Sequence, residues 1–234
     1  MNKPYKISGL TKILSYLFPQ RIAIAEGHGG AYLEVVVNNG KLMLNANQSN
    51  YSFGGLHLIF EQLFDQIEIR KYDIKNVLLL GLGAGSVVDL LVNKHGLNCE
   101  ITGVELDAKV IDFAKKYFDI QKYESLKIVQ SDAFAYVQNC SKKFDLIVID
   151  LFVGDTVPEA FASEEFIMHL RRLTNEKCCV AYNKMTDNVK HKEELKMLST
   201  KFDQVFPGWA LFKIYAYGFE NSLLCFNTFR KSVI

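Results

Sequence analysis

The stretch Asn76-Val-Leu-Leu-Leu-Gly81-Leu82-Gly83-Ala84-Gly85-Ser86 decides the fold. Its unbroken apolar run reads as a strand buried on both faces, as the strands of parallel sheets are. The run ends in glycines, and a helix-like pattern begins at once with Val87 to Val92. Glycines at the carboxyl end of such a strand let a nucleotide-type ligand approach the backbone, where a side chain would collide with it. Further strands follow in the same manner. Glu100-Ile-Thr-Gly-Val-Glu105 ends in a carboxylate 24 residues beyond Gly81. Leu126-Lys-Ile-Val-Gln130 runs into Ser131-Asp132-Ala133, and Phe144-Asp-Leu-Ile-Val-Ile-Asp150 ends in another carboxylate. Successive strand ends thus deliver acids to one edge of one sheet.

Outward from this core, strands and helices alternate from Lys75 onward, which predicts an α/β fold with a mostly parallel, Rossmann-like sheet covered on both faces. The segment from Ala108 to Phe118 is amphipathic, with Asp107 placed as its helix N-cap, and a short helix runs from Asp132 to Val137. Ser163 caps a helix with acids in its first turn and arginines near its end, which suits the helix dipole. Cys178 to Asn183 is a fifth strand, and Lys190 to Phe202 a further helix. Leu211 to Tyr217 and Ser222 to Asn227, joined by the turn Gly218-Phe-Glu-Asn221, form a C-terminal hairpin that puts an antiparallel strand into the parallel sheet. Asp145 starts its strand, away from the ligand edge, and reads as structural. Before residue 70 the pattern differs. Arg21–Glu26, Tyr32–Val37 and Lys41–Leu44 are short strand candidates joined by Gly27-His28-Gly29-Gly30 and Asn38-Asn39-Gly40, the signature of a small β-meander. Leu56 to Phe64 is apolar at helical spacing and packs between meander and sheet. The expected division is therefore residues 1–70, meander and helix, and 71–234, the ligand-binding domain.

Composition bounds the function. Across 234 residues, 49% are hydrophobic, enough for a sizeable core, and the formal net charge of +1 leaves no electrostatic footprint for nucleic acid. No apolar run approaches the roughly 20 residues that span a bilayer, and the N-terminus lacks the pattern of a signal peptide, so no membrane contact is expected. Five cysteines without regular spacing suggest reduced thiols and a cytoplasmic setting, and no metal site is expected. The segment Leu10-Thr-Lys-Ile-Leu-Ser-Tyr-Leu-Phe18 reads as an amphipathic helix. It suits either packing on its own domain or contact with a second subunit in a homodimer.

From about Arg21 to its end the chain resembles the spermidine synthase-like branch of the S-adenosylmethionine-dependent transferases. The matching pieces are Gly81-Leu-Gly-Ala-Gly85, Gly103-Val-Glu-Leu-Asp107 before a helix, Ser131-Asp132-Ala133, and Phe144 to Leu151, together with the N-terminal β-unit and the terminal hairpin. The resemblance implies a cofactor, S-adenosylmethionine or its decarboxylated form, held by Gly81, Gly83 and Gly85. Glu105 would take the ribose hydroxyls, Asp132 the adenine amino group and the Ala133 amide a ring nitrogen. Gln48 falls where the family places a glutamine near the methionine-derived tail, and His57 matches the histidine of its Tyr-His-Glu helix motif. Asp150 is the expected catalytic acid beside the small-molecule acceptor.

The chain also departs from that family. Ala84 stands where polyamine synthases have the aspartate of Gly-Gly-Gly-Asp-Gly, Leu56-His57-Leu58 replaces Tyr-His-Glu, and Asp150-Leu151-Phe152-Val153 replaces Asp-Ser-Ser-Asp, with Asp155 two residues past the missing acid. A diamine nitrogen must lose a proton before it attacks, and burying an ammonium without a partner costs about several kcal/mol. A pocket lined by Leu56, Leu58, Phe152 and Val153 suits a less cationic acceptor. On sequence alone methyl transfer therefore stands ahead of aminopropyl transfer. A non-catalytic adenosyl-binding protein and a nicotinamide-dependent oxidoreductase are the readings from other classes. The oxidoreductase would want GxGxxG, and position 86 is Ser.

Overall fold

Two patterns of hydrophobic periodicity produce two sheets. The computed structural model describes residues 5–46, 49–152, 154, 156–216 and 218–229. After a short helix α1 (Gly9–Leu14), strands β1 (Gln20–Glu26), β2 (Tyr32–Asn38), β3 (Lys41–Ala46) and β4 (Ser49–Ser52) form an antiparallel sheet in sequence order. Asn39 and Gly40 join β2 to β3 with positive φ angles of 48° and 74°, the two-residue turn whose twist matches that of the flanking strands. Three meander strands were expected and a fourth is present. Ser49-Asn-Tyr-Ser52 has no apolar run by which a strand is recognised, and it pairs with β3 at the sheet edge through Ala46↔Ser49 and Leu44↔Ser52. Helix α1 is shorter than its apolar segment. It is tied to the β2–β3 turn by Asn39 N–H donating to the Ser15 carbonyl (3.0 Å) and Gly40 N–H to Ser15 Oγ (2.9 Å). Leu10, Ile13 and Leu17 remain exposed.

Helix α2 (Gly55–Gln66) leads to the larger sheet, whose elements are β5 (Asn76–Leu80), α3 (Ser86–Asp89), β6 (Glu100–Glu105), α4 (Ala108–Tyr117), β7 (Leu126–Gln130), α5 (Ala133–Asn139), β8 (Phe144–Ile149), α6 (Glu164–Arg172), β9 (Thr174–Met185), α7 (Val189–Val205), β10 (Ala210–Ala216) and β11 (Phe219–Asn227). The sheet runs β10-β11-β9-β8-β5-β6-β7. Neighbours from β9 to β7 are parallel, and β11 lies antiparallel between β10 and β9. This is the mostly parallel, Rossmann-like sheet with a C-terminal antiparallel hairpin that the sequence implied. The first crossover helix differs in detail: α3 is one turn long and continues as a π-helical turn over Leu90–Lys94. Strand β9 extends beyond its apolar centre at both ends because β8 and β11 pair with it on either side. Asp107, Ser163 and Asn188 cap α4, α6 and α7, accepting from Lys109 N–H (2.7 Å), Phe166 N–H (3.1 Å) and His191 N–H (2.8 Å).

Alternation along the central strands divides the core. Val77, Leu79, Leu146 and Val148 face one side, where they join Phe60, Leu63 and Phe64 of α2 and Leu33, Val35 and Leu44 of the meander. Leu78, Leu80, Ile147 and Ile149 face the other, against Phe166, Leu170 and Phe202. No helix among the described residues is long and apolar enough to cross a membrane. Asp145 sets the start of β5. Its Oδ2 accepts from Lys75 N–H (2.9 Å) and Asn76 N–H (2.8 Å), and its Oδ1 from Asn175 Nδ2 (2.6 Å). Replacing Asp145 by Ala leaves those donors without their acceptor and is expected to cost about 1–3 kcal/mol. In urea titrations the midpoint falls while the m-value holds; an unmoved midpoint would remove Asp145 from the stabilising set.

Candidate functional site

The carboxyl ends of β5, β6, β7 and β8 open into a cleft that the meander closes from above. Its empty volume, counted out to the mouth, is about 790 Å³. Gly81, Glu105, Asp132, Ala133 and Asp150 all line it, so the strand-end residues singled out in the sequence come together in space. Gly81 is fixed by two constraints. Its φ is +87°, and a Cβ built on it would lie 2.1 Å from the Asp150 carbonyl oxygen. The turn after β5 is therefore pressed against the end of β8, and a residue with a side chain would force them apart.

Glu105 is 3% exposed. Its Oε2 accepts from Gly83 N–H (3.0 Å) and its Oε1 from Asp107 N–H (3.0 Å). Burial pushes its carboxyl above the usual range, and the hydrogen bonds from Asp107, Gly83 and Leu106 amides oppose that shift. Each oxygen keeps lone-pair capacity toward the cleft, which suits a pair of neighbouring hydroxyls. Gly83 thus acts through Glu105 and does not stand on the cleft wall. Gly85 also lies off the wall: with φ +95°, a Cβ there would meet Ile120 Cδ1 at 2.8 Å.

Asp132 does two things. Its Oδ1 caps α5 by accepting from Ala135 N–H at 2.9 Å, and the residue still lines the cleft beside buried Ala133. Asp107 likewise exceeds its expected cap. Besides Lys109 N–H, it accepts at Oδ2 from His28 N–H (2.7 Å). Gly27 lies so close that a Cβ would be 2.2 Å from the same Oδ2. This bond brings the tip of the β1–β2 hairpin over the cleft, and His28 becomes a lining residue. Sequence reading took Gly27-His28-Gly29-Gly30 for a turn and missed it; the glycines permitting close approach were the available signal.

Asp150 is half-buried at the cleft floor, with its N–H donating to the Leu80 carbonyl (2.9 Å). Burial pushes its carboxyl up to about 7, Glu105 adding to the rise and a hydrogen bond from Asn183 opposing it. A carboxyl poised there exchanges a proton near neutral pH, which suits general-base work. Phe152 and Phe161 complete this end of the cleft.

Other expected residues fall elsewhere. Ala84 and Leu58 belong to the apolar core. His57 stacks on Phe53 with ring centroids 5.8 Å apart, off the cleft wall, and burial lowers its pKa. Gln48, Val153 and Asp155 lie outside the described residues, as does the side chain of Leu56. Among the described residues no group of three or more His, Cys, Asp or Glu side chains is placed to hold a metal ion.

With this geometry in hand, comparison with known proteins is informative. A family model described as the spermine/spermidine synthase domain matches residues 61–232. A polyamine aminopropyltransferase of Vibrio vulnificus is 27% identical over 143 residues, 60% of this chain and 46% of that protein. An N-terminal histidine N-methyltransferase of Emericella nidulans is 32% identical over 143 residues, 59% of this chain and 24% of that protein. The chain thus spans about half or less of the length of these curated relatives. A crystal structure of a probable spermidine synthase from Corynebacterium glutamicum superposes with a TM-score of 0.71 at 19% identity, covering 88% of this chain and 79% of that one, and supports the fold.

The raised Asp150 carboxyl has a consequence for stability. A group with a folded pKa of about 7 and an ordinary unfolded value near 3.8 favours folding least once pH has risen through 7. Asp150→Asn removes that titration. Its melting temperature is expected to exceed that of the parent by a few degrees at pH 8 and by less at pH 5, roughly the shift that a 1 kcal/mol change makes. Equal differences at both pH values would place the Asp150 carboxyl in the ordinary range.

Proposed function

The chain belongs to the spermine/spermidine synthase domain family, within the S-adenosylmethionine-dependent methyltransferase and aminopropyltransferase superfamily, and from that premise we propose that it is a transferase moving an alkyl group from an adenosyl sulfonium to an amine nitrogen. The observation that carries this reading is the pair of acids on one cleft wall either side of Gly81, Glu105 buried and Asp150 half-buried. Glu105 would hold the ribose, and Asp132 with the Ala133 amide the adenine. Gly81, its Cβ absent, would let the sulfonium end lie against the backbone. Gly83 would act by holding Glu105, Gly85 by keeping the turn tight on Ile120, and Gln48 by meeting the donor's tail. The donor would be S-adenosylmethionine or its decarboxylated form.

Asp150 would supply the base. The amine lone pair attacks the carbon attached to sulfur, and the C–S bond breaks with its electron pair going to sulfur, leaving a neutral thioether. The proton lost from the nitrogen passes to Asp150. Because the sulfonium is already a good leaving group, alignment provides much of the remaining catalysis. Both relatives named above fit a nitrogen acceptor, one being a polyamine aminopropyltransferase and the other an N-methyltransferase.

Aminopropyl transfer from the decarboxylated donor is the first reading, which reverses the order that the sequence alone suggested, since the matching family domain is that of the spermine and spermidine synthases. Methyl transfer is the second reading, and the apolar end of the cleft favours it: Phe152 and Phe161 beside Asp150 offer the second ammonium of a diamine no carboxylate partner. The protein incubated with each donor and with putrescine or peptide amines, followed by mass spectrometry, separates the two by a mass gain of one aminopropyl or one methyl group. Spermidine formation at about 1 per second, within the usual enzyme range, establishes the first reading. Methylated amines alone establish the second, and no product with either donor sinks amine transfer.

Two variants test the site itself. Glu105→Ala is expected to weaken adenosyl binding by about 10-fold or more in calorimetry, the loss that follows from hydrogen bonds to a charged group. Asp150→Asn should lower turnover by about 10²-fold while changing donor affinity much less. The opposite ranking would move Asp150 to the donor side.

A further inference from the structure

The strongest unassigned feature lies one strand beyond Asp150. In the parallel pairing of β8 with β9, Ile149 stands opposite Tyr182, so Asp150, just past the end of β8, lies beside Asn183, which stays within β9. Asn183 Nδ2 donates to Asp150 Oδ1 at 2.9 Å. Asp150 lines the cleft, whereas Asn183 is 1% exposed and sits behind it, flanked on its other side by Leu223 of β11.

We propose that Asn183 is a positioning residue for Asp150, fixing the carboxylate so that Oδ1 is engaged behind the cleft and Oδ2 is left to meet the acceptor. The inference deepens the amine-transfer reading and rests on it for its catalytic consequence, not for its structural one. An unrestrained carboxylate rotates about its terminal torsion, which is broad, and either oxygen then faces the acceptor. One hydrogen bond from a buried amide on a rigid strand removes that freedom. A second observation points the same way. Asn183 Oδ1 is buried and has no partner among the described residues. Such a group is costly in a native interior and calls for a reason. The reason lies on its other side: the NH₂ meets the ionised acid with a charge-assisted bond, stronger than any bond it makes to the neutral acid, so the pairing favours the carboxylate.

The surroundings leave few competitors. Glu105, from the end of β6, is the charged group acting on Asp150. His28, Asp107 and Asp132 line the same cleft, and Lys184, next to Asn183 in sequence, is paired with Glu194 of α7. An amide N–H donating to a carboxylate favours the charged form, so removing it must make Asp150 harder to ionise.

The test is the titration of Asp150 followed by NMR in protein carrying 13C-carboxyl aspartate, the signal being assigned by its loss in Asp150→Asn. In Asn183→Leu, which keeps the volume and removes the amide, the midpoint is expected to rise by about one pH unit, the usual size for one lost hydrogen bond to a charged group. Asn183→Ala reads the same quantity if the leucine variant folds poorly. With an amine acceptor, the acidic limb of kcat/KM should move upward in step while donor affinity stays within about twofold, well below the tenfold of one full hydrogen bond. An unmoved midpoint and limb in a folded variant overturn the proposal while leaving amine transfer intact. A shifted midpoint in a protein that transfers to no amine supports the positioning role and overturns the functional reading instead.

Discussion

The site depends on the buried carboxylate of Glu105. Its two oxygens take N–H groups from Gly83 and from Asp107, each at 3.0 Å, so the glycine turn after β5 and the loop after β6 are drawn onto one acid. An ionised group at 3% exposure is costly, and the backbone amides that solvate it offset part of that cost. With the turn held there, Gly81 meets the end of β8 so closely that no Cβ fits, and Asp150 is delivered to the cleft floor. With the loop held there, Asp107 is aimed at the β1–β2 hairpin and captures His28 N–H. One buried acid thereby organises both sheets around the same opening.

Much of the larger sheet is legible in sequence because its central strands are buried on both faces and so carry continuous apolar runs, ending where glycine or acid begins. The terminal hairpin is legible because Gly218 marks its turn, although β11 begins at Phe219 and takes in the rest of the expected turn, Phe219 to Asn221. The small meander is less so. Strand β4 is polar and lies at an edge, where pairing is decided by the backbone of β3 and not by apolar side chains. The short α3 and its π-helical continuation are set by packing under the glycine turn, which local propensity does not report.

The site divides in the same way. Glu105, Asp132 and Asp150 are readable because each follows an apolar strand run. Gly83 and Gly85 are readable as glycines but not in their purpose: one solvates Glu105 and the other clears Ile120. His28 is hidden because its neighbours look like any turn, and it reaches the cleft only through a contact 79 residues away in sequence. Asn183 is hidden for a different reason. A single amide within a strand has no pattern around it, and its partnership with Asp150 follows from the register of β8 against β9, which sequence does not specify.

Strand order also bears on the different work proposed for the two acids. Across the sheet the strands run β7, β6, β5, β8, β9; Asp132, Glu105, Gly81 and Asp150 stand at or just past the ends of the first four, and Asn183 lies within the last, beside Asp150. Neighbouring strands are about 4.8 Å apart, so Asp132 and Glu105 are one step apart, while Glu105 and Asp150 are separated by two, roughly 10 Å. An adenosyl ligand laid along this edge, base over β7 and ribose over β6, has only one direction left for its sulfur-bearing arm. That direction passes over β5, where the backbone is bare, toward β8. On the proposed reading, the acid at β6 would meet hydroxyls because it lies one strand from the base, and the acid at β8 would meet the nucleophile because it lies beyond the bare strand. Exchanging the proposed roles would require the ligand to reverse along the edge and set its base against Phe152 and Phe161, leaving the Asp132–Ala133 pair without the ring proposed for it.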